Sequence, residues 1–408
     1  ADGSIERKAH ERCLHAGPFW LSAKRKTKTP DGPGGHHQDA RIPYIIGNEA
    51  AERFSFYGMK GILVVFMTTY LHLLGDKVGI GMSGAAASEK YHTFTSLVYF
   101  FPIFGALISD WLWGKYKTIL WLSMVYCAGH GALALMGEYG DAETVLWYGL
   151  MLISIGSGGI KPCVSAHVGD QFGKTNSNLI EKVFNFFYLA INFGAFCSML
   201  LTPQLLRLYG PHWAFGIPGV LMAIATFMFW MGRHKFVHIP AGGFDFIEEV
   251  FSKTGLVAIA KLSVIYVFVA VFWALFDQTG SSWVIQAQSM DRHWLGVHWL
   301  PSQMQTVNSL LILVFIPLFT FVMYPAINKV WTLTPLKKIS MGLFIMVVGF
   351  YMVYLVQSWI DAGEKPHIVW QLVAYAILTA SEVMVSITCL EFSYTQAPTK
   401  LKSIIMAI

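Results

Sequence analysis

Charge is what this chain has least of. Asp, Glu, Lys and Arg make up 13% of its 408 residues, about half of the roughly 25% usual in soluble domains. Hydrophobic residues make up 55%, and the mean hydropathy is +0.51. This balance excludes an enzyme domain folded in solution and indicates an all-α polytopic membrane protein. Cysteine is scarce as well. Cys127, Cys163, Cys197 and Cys389 lie in apolar segments, Cys13 lies in the polar N-terminal tract, and no short spacing suggests metal ligation. Reduced core thiols are therefore expected rather than a disulfide framework. The adjacent histidines of "GGHHQD" form no metal motif, and neither a His pair at helical spacing nor a serine–base pair supports an intramembrane enzyme. No metal and no cofactor are expected, and the net charge of +5 points to no nucleic-acid partner.

What is abundant is long apolar runs. Ten reach membrane length, near 43–72, 89–113, 117–136, 143–168, 182–205, 213–231, 256–288, 304–327, 338–360 and 367–396. Each is long enough for a hydrocarbon core roughly 30 Å thick. Basic residues favour alternate connections by thirteen to four, among them Lys115, Lys117, Arg233, Lys235, Lys337 and Lys338. The positive-inside rule then sets the N-terminus in the cytoplasm. Residues 1–40 read as a disordered cytoplasmic segment, 41–232 as a six-helix bundle, 233–254 as a polar cytoplasmic linker with a short surface helix, and 255–408 as a second bundle with four helices. Two halves flanking such a linker is the plan of many secondary transporters.

The few charges inside these runs cost at least about 2.5–3.5 kcal/mol each, so they are expected to face a cavity or a partner. In "GNEAAERFSFYGMKG" (47–61) Glu49, Glu52, Arg53, Phe56, Tyr57 and Lys60 share a helical arc of about 140°. A lone Glu52–Arg53 tie between helices needs only two charges; four charges on one face suggest the lining of a water-filled cavity. His92 and Tyr99 share a face of the second segment, and a histidine there suits a proton site. Lys161 follows a glycine cluster and precedes Pro162. The helix is expected to break there, and the lysine to need an anionic partner. Asn192 is a mid-segment polar residue that suits either an interhelical bond or a ligand. Trp273 and Asp277 share a face before a Gly280 hinge. Glu382 and Glu391 stand about 180° apart on a regular helix, so only one of them can line a cavity.

Several stretches together resemble the proton-coupled oligopeptide transporter family of the major facilitator superfamily: "EAAERFSFYGMK", "YHTFTSLVYFFPIFGALISD", "FNFFYLAINFGAF", "FWALFDQTGSSWVIQA" and "LEFSYTQAP". In addition, "GALISDWLWGKYK" resembles that superfamily's cytoplasmic loop motif, with Gly105, Asp110, Gly114 and Lys115 in structural roles. The resemblance implies a twelve-helix core of two bundles, of which ten helices are visible and the last two absent. It also implies alternating access and symport of di- and tripeptides with protons by a monomer in the plasma (inner) membrane. Carried over residue by residue, Glu49, Glu52 and Arg53 match the proton-coupling triplet, with His92 and Asp277 grouped beside them. Arg53, Tyr57, Lys60, Tyr99, Lys161 and Asn192 match peptide contacts of the first bundle. Trp273, Asn308 and Glu391 match those of the second, so the resemblance favours Glu391 over Glu382 as the acid that meets the peptide amino group. Two positions depart from the pattern: Lys60 stands where Arg is usual, and Phe56 replaces the first of two tyrosines. A same-fold carrier of another small solute, such as nitrate or a drug-like molecule, and a non-transporting peptide sensor are the alternatives.

Overall fold

The structure is a computed structural model that describes residues 42–74, 81–138, 140–172, 180–243, 251–396 and 405. The expectation for residues 1–40, and that of a surface helix within 244–250, lie outside the described residues. Each of the ten apolar runs forms a helix. The first group comprises α1 Ile42–Val65, α2 Gly84–Ile108, α3 Lys115–Ala134, α4 Ala142–Asp170, α5 Ile180–Tyr209 and α6 Pro211–Met231. The second comprises α7 Lys253–Phe276, the short α8 Ser282–Gln288, α9 Thr306–Leu318, the short α10 Tyr324–Asn328, α11 Pro335–Asp361, α12 Val369–Glu382 and α13 Thr388–Gln396. Among the described residues, eight helical spans are long and apolar enough to cross a membrane. α3 and α5 fall outside that measure. The chain is a multi-pass helical membrane protein.

Helix starts follow local chemistry. Ser83, Asp141, Ser252 and Thr334 each accept a hydrogen bond from a backbone N–H in the first turn of the helix that follows. A side-chain acceptor there satisfies one of the orphan donors of a helix N-terminus.

Each group has its own apolar core. Met59, Ile62 and Phe66 of the first span pack with Phe94, Tyr126, Ile153, Phe215 and Phe229. Phe272, Trp283, Met346, Tyr375 and Leu378 form the core of the second.

Pro162 does not break its helix as the sequence suggested: α4 runs through it to Asp170. A proline removes one N–H and crowds the carbonyl four residues back, here that of Gly158. That carbonyl lies against Gly105 of α2, where an added Cβ would stand 2.2 Å from its oxygen. Glycine on both sides lets the helices close over the carbonyl left without its donor.

The linker also differs from a free polar tether, because residues 236–242 are seated on the first group. Val237 N–H donates to Gln171 Oε1 at 2.8 Å and Val237 O accepts from Gln171 Nε2 at 3.3 Å. Gly242 N–H donates to Asp110 O at 2.7 Å. Phe236 is buried against Tyr116, His167 and Phe229. One phenylalanine in a polar stretch carried no periodic signal to reveal this.

The two groups meet along α1 and at the end where α1 finishes and α2 begins. Gln303 Nε2 donates to Leu200 O at 2.9 Å, and Gln305 Nε2 donates to Gly61 O at 3.2 Å. Gly280 lies so close to Tyr91 that a Cβ would stand 1.9 Å from its hydroxyl. A two-stranded hairpin, β1 His293–Trp294 and β2 Val297–His298, follows α8 at this end. At the opposite end Leu107 of α2 packs against the small cluster of Leu262 and Ile405.

Candidate functional site

The charged face of α1 forms as its spacing required. Arg53 Nη2 lies 2.7 Å from Glu49 Oε1, and its Nε lies 3.4 Å from Glu52 Oε2. The tighter pair is with Glu49 one turn back, not with Glu52 as the simpler reading had it. Glu52 is fully buried and Glu49 nearly so. Glu49 Oε2 and both Glu52 oxygens accept no hydrogen bond among the described residues. Desolvated carboxylates with unspent acceptor capacity are held here by one guanidinium.

Lys60, two turns further on, reaches the other group. Its ammonium lies 2.7 Å from Asp277 Oδ1, with side-chain exposures of 12% and 6%. Asp277 opens the 3-10 turn Asp277–Gly280, which ends α7 and turns its carboxylate toward α1. His92 of α2 joins the same contact zone through Nε2···Ser281 Oγ at 2.9 Å. Ser281 was not foreseen. It differs from any other serine of an apolar run only by its place after a helix break that the fold creates.

Aromatic rings stand between the charges. Tyr99 of α2 and Trp273 of α7 face each other with ring centroids 6.4 Å apart. Tyr57 has Arg53, Lys60 and Glu52 of its own helix and Glu382 of α12 as its electrostatic neighbours. Asn308 of α9 donates to Glu382 Oε2 at 2.7 Å and to Thr379 Oγ1 at 3.0 Å. Asn192 is buried on α5.

The second group's acid at this place is thus Glu382, not Glu391. A π-helical turn, Val383–Ile387, separates the two. Its wider winding advances less per residue than an α-turn, so the regular 180° separation does not apply. Glu391 falls on α13, a half-buried residue whose electrostatic neighbour is Tyr324 of α10, toward the end opposite the Lys60–Asp277 contact. Lys161 leaves open which anion it serves. Among the described residues its ammonium makes no ion pair; it sits over the ring of Phe56, 3.8 Å from the centroid.

The loop-motif residues lie away from this space and hold helices together. Gly105 permits the α2–α4 contact. Gly114 takes a φ of 76° at the start of α3, a conformation that disfavours a side chain. Lys115 Nζ pairs with Asp170 Oδ2 at 2.5 Å, and the backbone carbonyl of Asp110 receives the seated linker.

Fold and site together define the class. This is a polytopic helical membrane protein in which charged and aromatic side chains of two helix groups meet. Comparison with known proteins refines that. The sequence model of the POT family matches residues 116–264 and 254–408. The chain is 40% identical over 356 residues to peptide transporter family 1 of Drosophila melanogaster, covering 76% of this chain and 46% of that protein. It is 36% identical over 363 residues to human solute carrier family 15 member 2, covering 78% and 48%. Among solved structures, an auto-inhibited POT family peptide transporter aligns at a TM-score of 0.80 and 36% identity, covering 90% of this chain and 85% of that one. The POT family transporter PepTSo aligns at 0.78 and 36%, covering 93% and 86%. The chain belongs to the POT family. It spans about half the length of the curated relatives it matches.

Proposed function

We propose that this chain serves a proton-coupled symporter that imports di- and tripeptides by alternating access, a multi-pass protein of the plasma (inner) membrane with its N-terminus in the cytoplasm. One observation carries the reading: Tyr57 stands among Arg53 and Lys60 of the first group and Glu382 of the second, and Lys161 of α4 lies over the ring of the adjacent Phe56. A peptide is a zwitterion with an amide spine. Its carboxylate would meet the cations, its ammonium would meet Glu382, and Asn308 and the rings of Tyr57, Tyr99 and Trp273 would supply polar edges and tolerant walls. A ligand that bridges the two groups favours the state in which they close upon it. In that role Glu382 is preferred to Glu391, because Glu382 stands among the neighbours of Tyr57. An anion carrier has no need of a second-group carboxylate there, which argues against nitrate.

Proton coupling is assigned to Glu49, Glu52 and Arg53 jointly, since two carboxylates share one guanidinium and titrate as a unit. His92 and Asp277 lie in the contact zone that must part to admit substrate from the α1–α2 end, so a proton arriving there can loosen it. The proton is the coupling ion, no cofactor is invoked, and the protein is taken to act as a monomer.

The test is uptake of a labelled dipeptide into proteoliposomes with and without an imposed pH gradient. Gradient-stimulated uptake that is abolished by Glu49→Gln/Glu52→Gln, with peptide exchange partly retained, is expected. Undiminished gradient-driven uptake in the double variant would sink the coupling assignment. Undiminished affinity in Glu382→Gln would sink the ammonium site.

A further inference from the structure

Phe56 is one of the two positions where the sequence leaves the family pattern, and its surroundings give the difference a meaning. The side chain is 3% exposed. Tyr57 meets it edge-on at 5.5 Å between centroids, and Phe94 packs at 6.3 Å. Two ammonium groups lie over its ring: Lys161 Nζ at 3.8 Å from the centroid and Lys60 Nζ at 6.0 Å. Lys60 is already paired with Asp277. Lys161 is not comparably held: Glu49 and Glu52 are its electrostatic neighbours, but Arg53 stands between 2.7 and 3.4 Å from both. An aromatic face is electron-rich and attracts a cation within about 6 Å, most strongly where water is excluded. A phenyl ring offers Lys161 that face and, without a hydroxyl, no hydrogen bond that would draw the ammonium aside.

We infer that Phe56 is a positioning residue, its ring face holding the Lys161 ammonium where it meets the substrate carboxylate, so that the ring sets the preference for a free C-terminus over a C-terminal amide. This rests on the peptide reading above. Held against a ring rather than a carboxylate, Lys161 has no counter-charge of its own to displace when an anion arrives. Without the ring face, the flexible lysine stem is free to turn to Glu49 and Glu52 and to be neutralised by them.

The test replaces Phe56 in the full chain by 4-fluoro-, 3,5-difluoro- and 3,4,5-trifluorophenylalanine through amber suppression. Fluorination drains the π face while nearly preserving shape, so folding is retained. Calorimetric binding of a dipeptide and of its C-terminal amide is then compared. The expected result is a progressive loss of dipeptide affinity with each fluorine, totalling about tenfold across the series, with the amide unchanged. A flat series, or parallel losses for both ligands, overturns the inference, because a purely structural role moves both together. Native protein that binds dipeptide and amide equally overturns it as well. Native protein that binds with this graded preference but fails to transport leaves the inference standing and removes the carrier reading instead.

Discussion

We predict that Asp277→Ala opens the α1–α2 end without unfolding either helix group. The Lys60–Asp277 pair is mostly buried, with side chains 12% and 6% exposed, and it joins α1 to the turn after α7. Removing one member of a buried pair costs about 3–5 kcal/mol, because the other charge stays desolvated. Lys60 keeps two ring contacts, with Tyr91 at 5.4 Å and Phe56 at 6.0 Å, which offset about 1 kcal/mol. The net destabilisation of the closed end is then about 2–4 kcal/mol, a shift of about 30- to 700-fold in the closed-to-open ratio. Neither group's core contains this contact, so the cost falls on the equilibrium between access states. The assay is double electron–electron resonance between spin labels at Leu73 and Leu295, both exposed at this end, in a background with the native cysteines replaced. The variant should transfer population to the longer distance. The double variant Lys60→Met/Asp277→Leu, which removes both charges and fills the space, should restore the closed distribution. A native-like distribution in Asp277→Ala, or a double variant as open as the single one, would refute the reasoning.

Other consequences can be checked separately. Gly105→Ala places a methyl 2.2 Å from the Gly158 carbonyl, a backbone atom that cannot swing away. It should cost about 1–3 kcal/mol and lower the melting temperature in detergent, whereas Gly216→Ala, whose nearest neighbour is 3.6 Å off, should not. Gln171→Leu removes both hydrogen bonds to Val237, together about 1–3 kcal/mol. Amide exchange across 236–242 should quicken by about 5- to 150-fold, and unchanged protection would show that the Gln171 bonds do not hold the linker. The hairpin should loosen in acid. Lost hydration, then His293, Arg292 and Arg207, hold His298 below the histidine value of 6.5, and the His293 N–H that Asp291 accepts holds that carboxyl below 3.8. Both groups therefore favour the deprotonated form in the fold. His298's contribution is intact above pH 6.5 and is lost as pH falls through its lowered pKa; that of Asp291 is intact above 3.8 and lost below it. Exchange at Trp294 and Val297, corrected for intrinsic rate, should rise between pH 7 and 5 in the native chain and stay level in His298→Gln.

What the sequence by itself determined is set by helical period and hydrophobic length. That each of the ten runs forms a helix follows from run lengths, and the shared face of Glu49, Arg53, Tyr57 and Lys60 follows from an uninterrupted α1. Both are properties of a single helix, so no partner was needed to read them. The tertiary structure decided wherever a residue's role depends on what another segment brings to it. Pro162 stays helical because Gly105 and Gly158 let two helices close. Glu382 rather than Glu391 meets Asn308 because α12 sets it one turn from Thr379, the other partner of Asn308. Ser281, Gln303 and Gln305 acquire meaning only when the two groups touch. Lys161 called for a counter-charge on paper; in the fold Arg53 already engages the two nearest carboxylates, and the face of Phe56 takes their place.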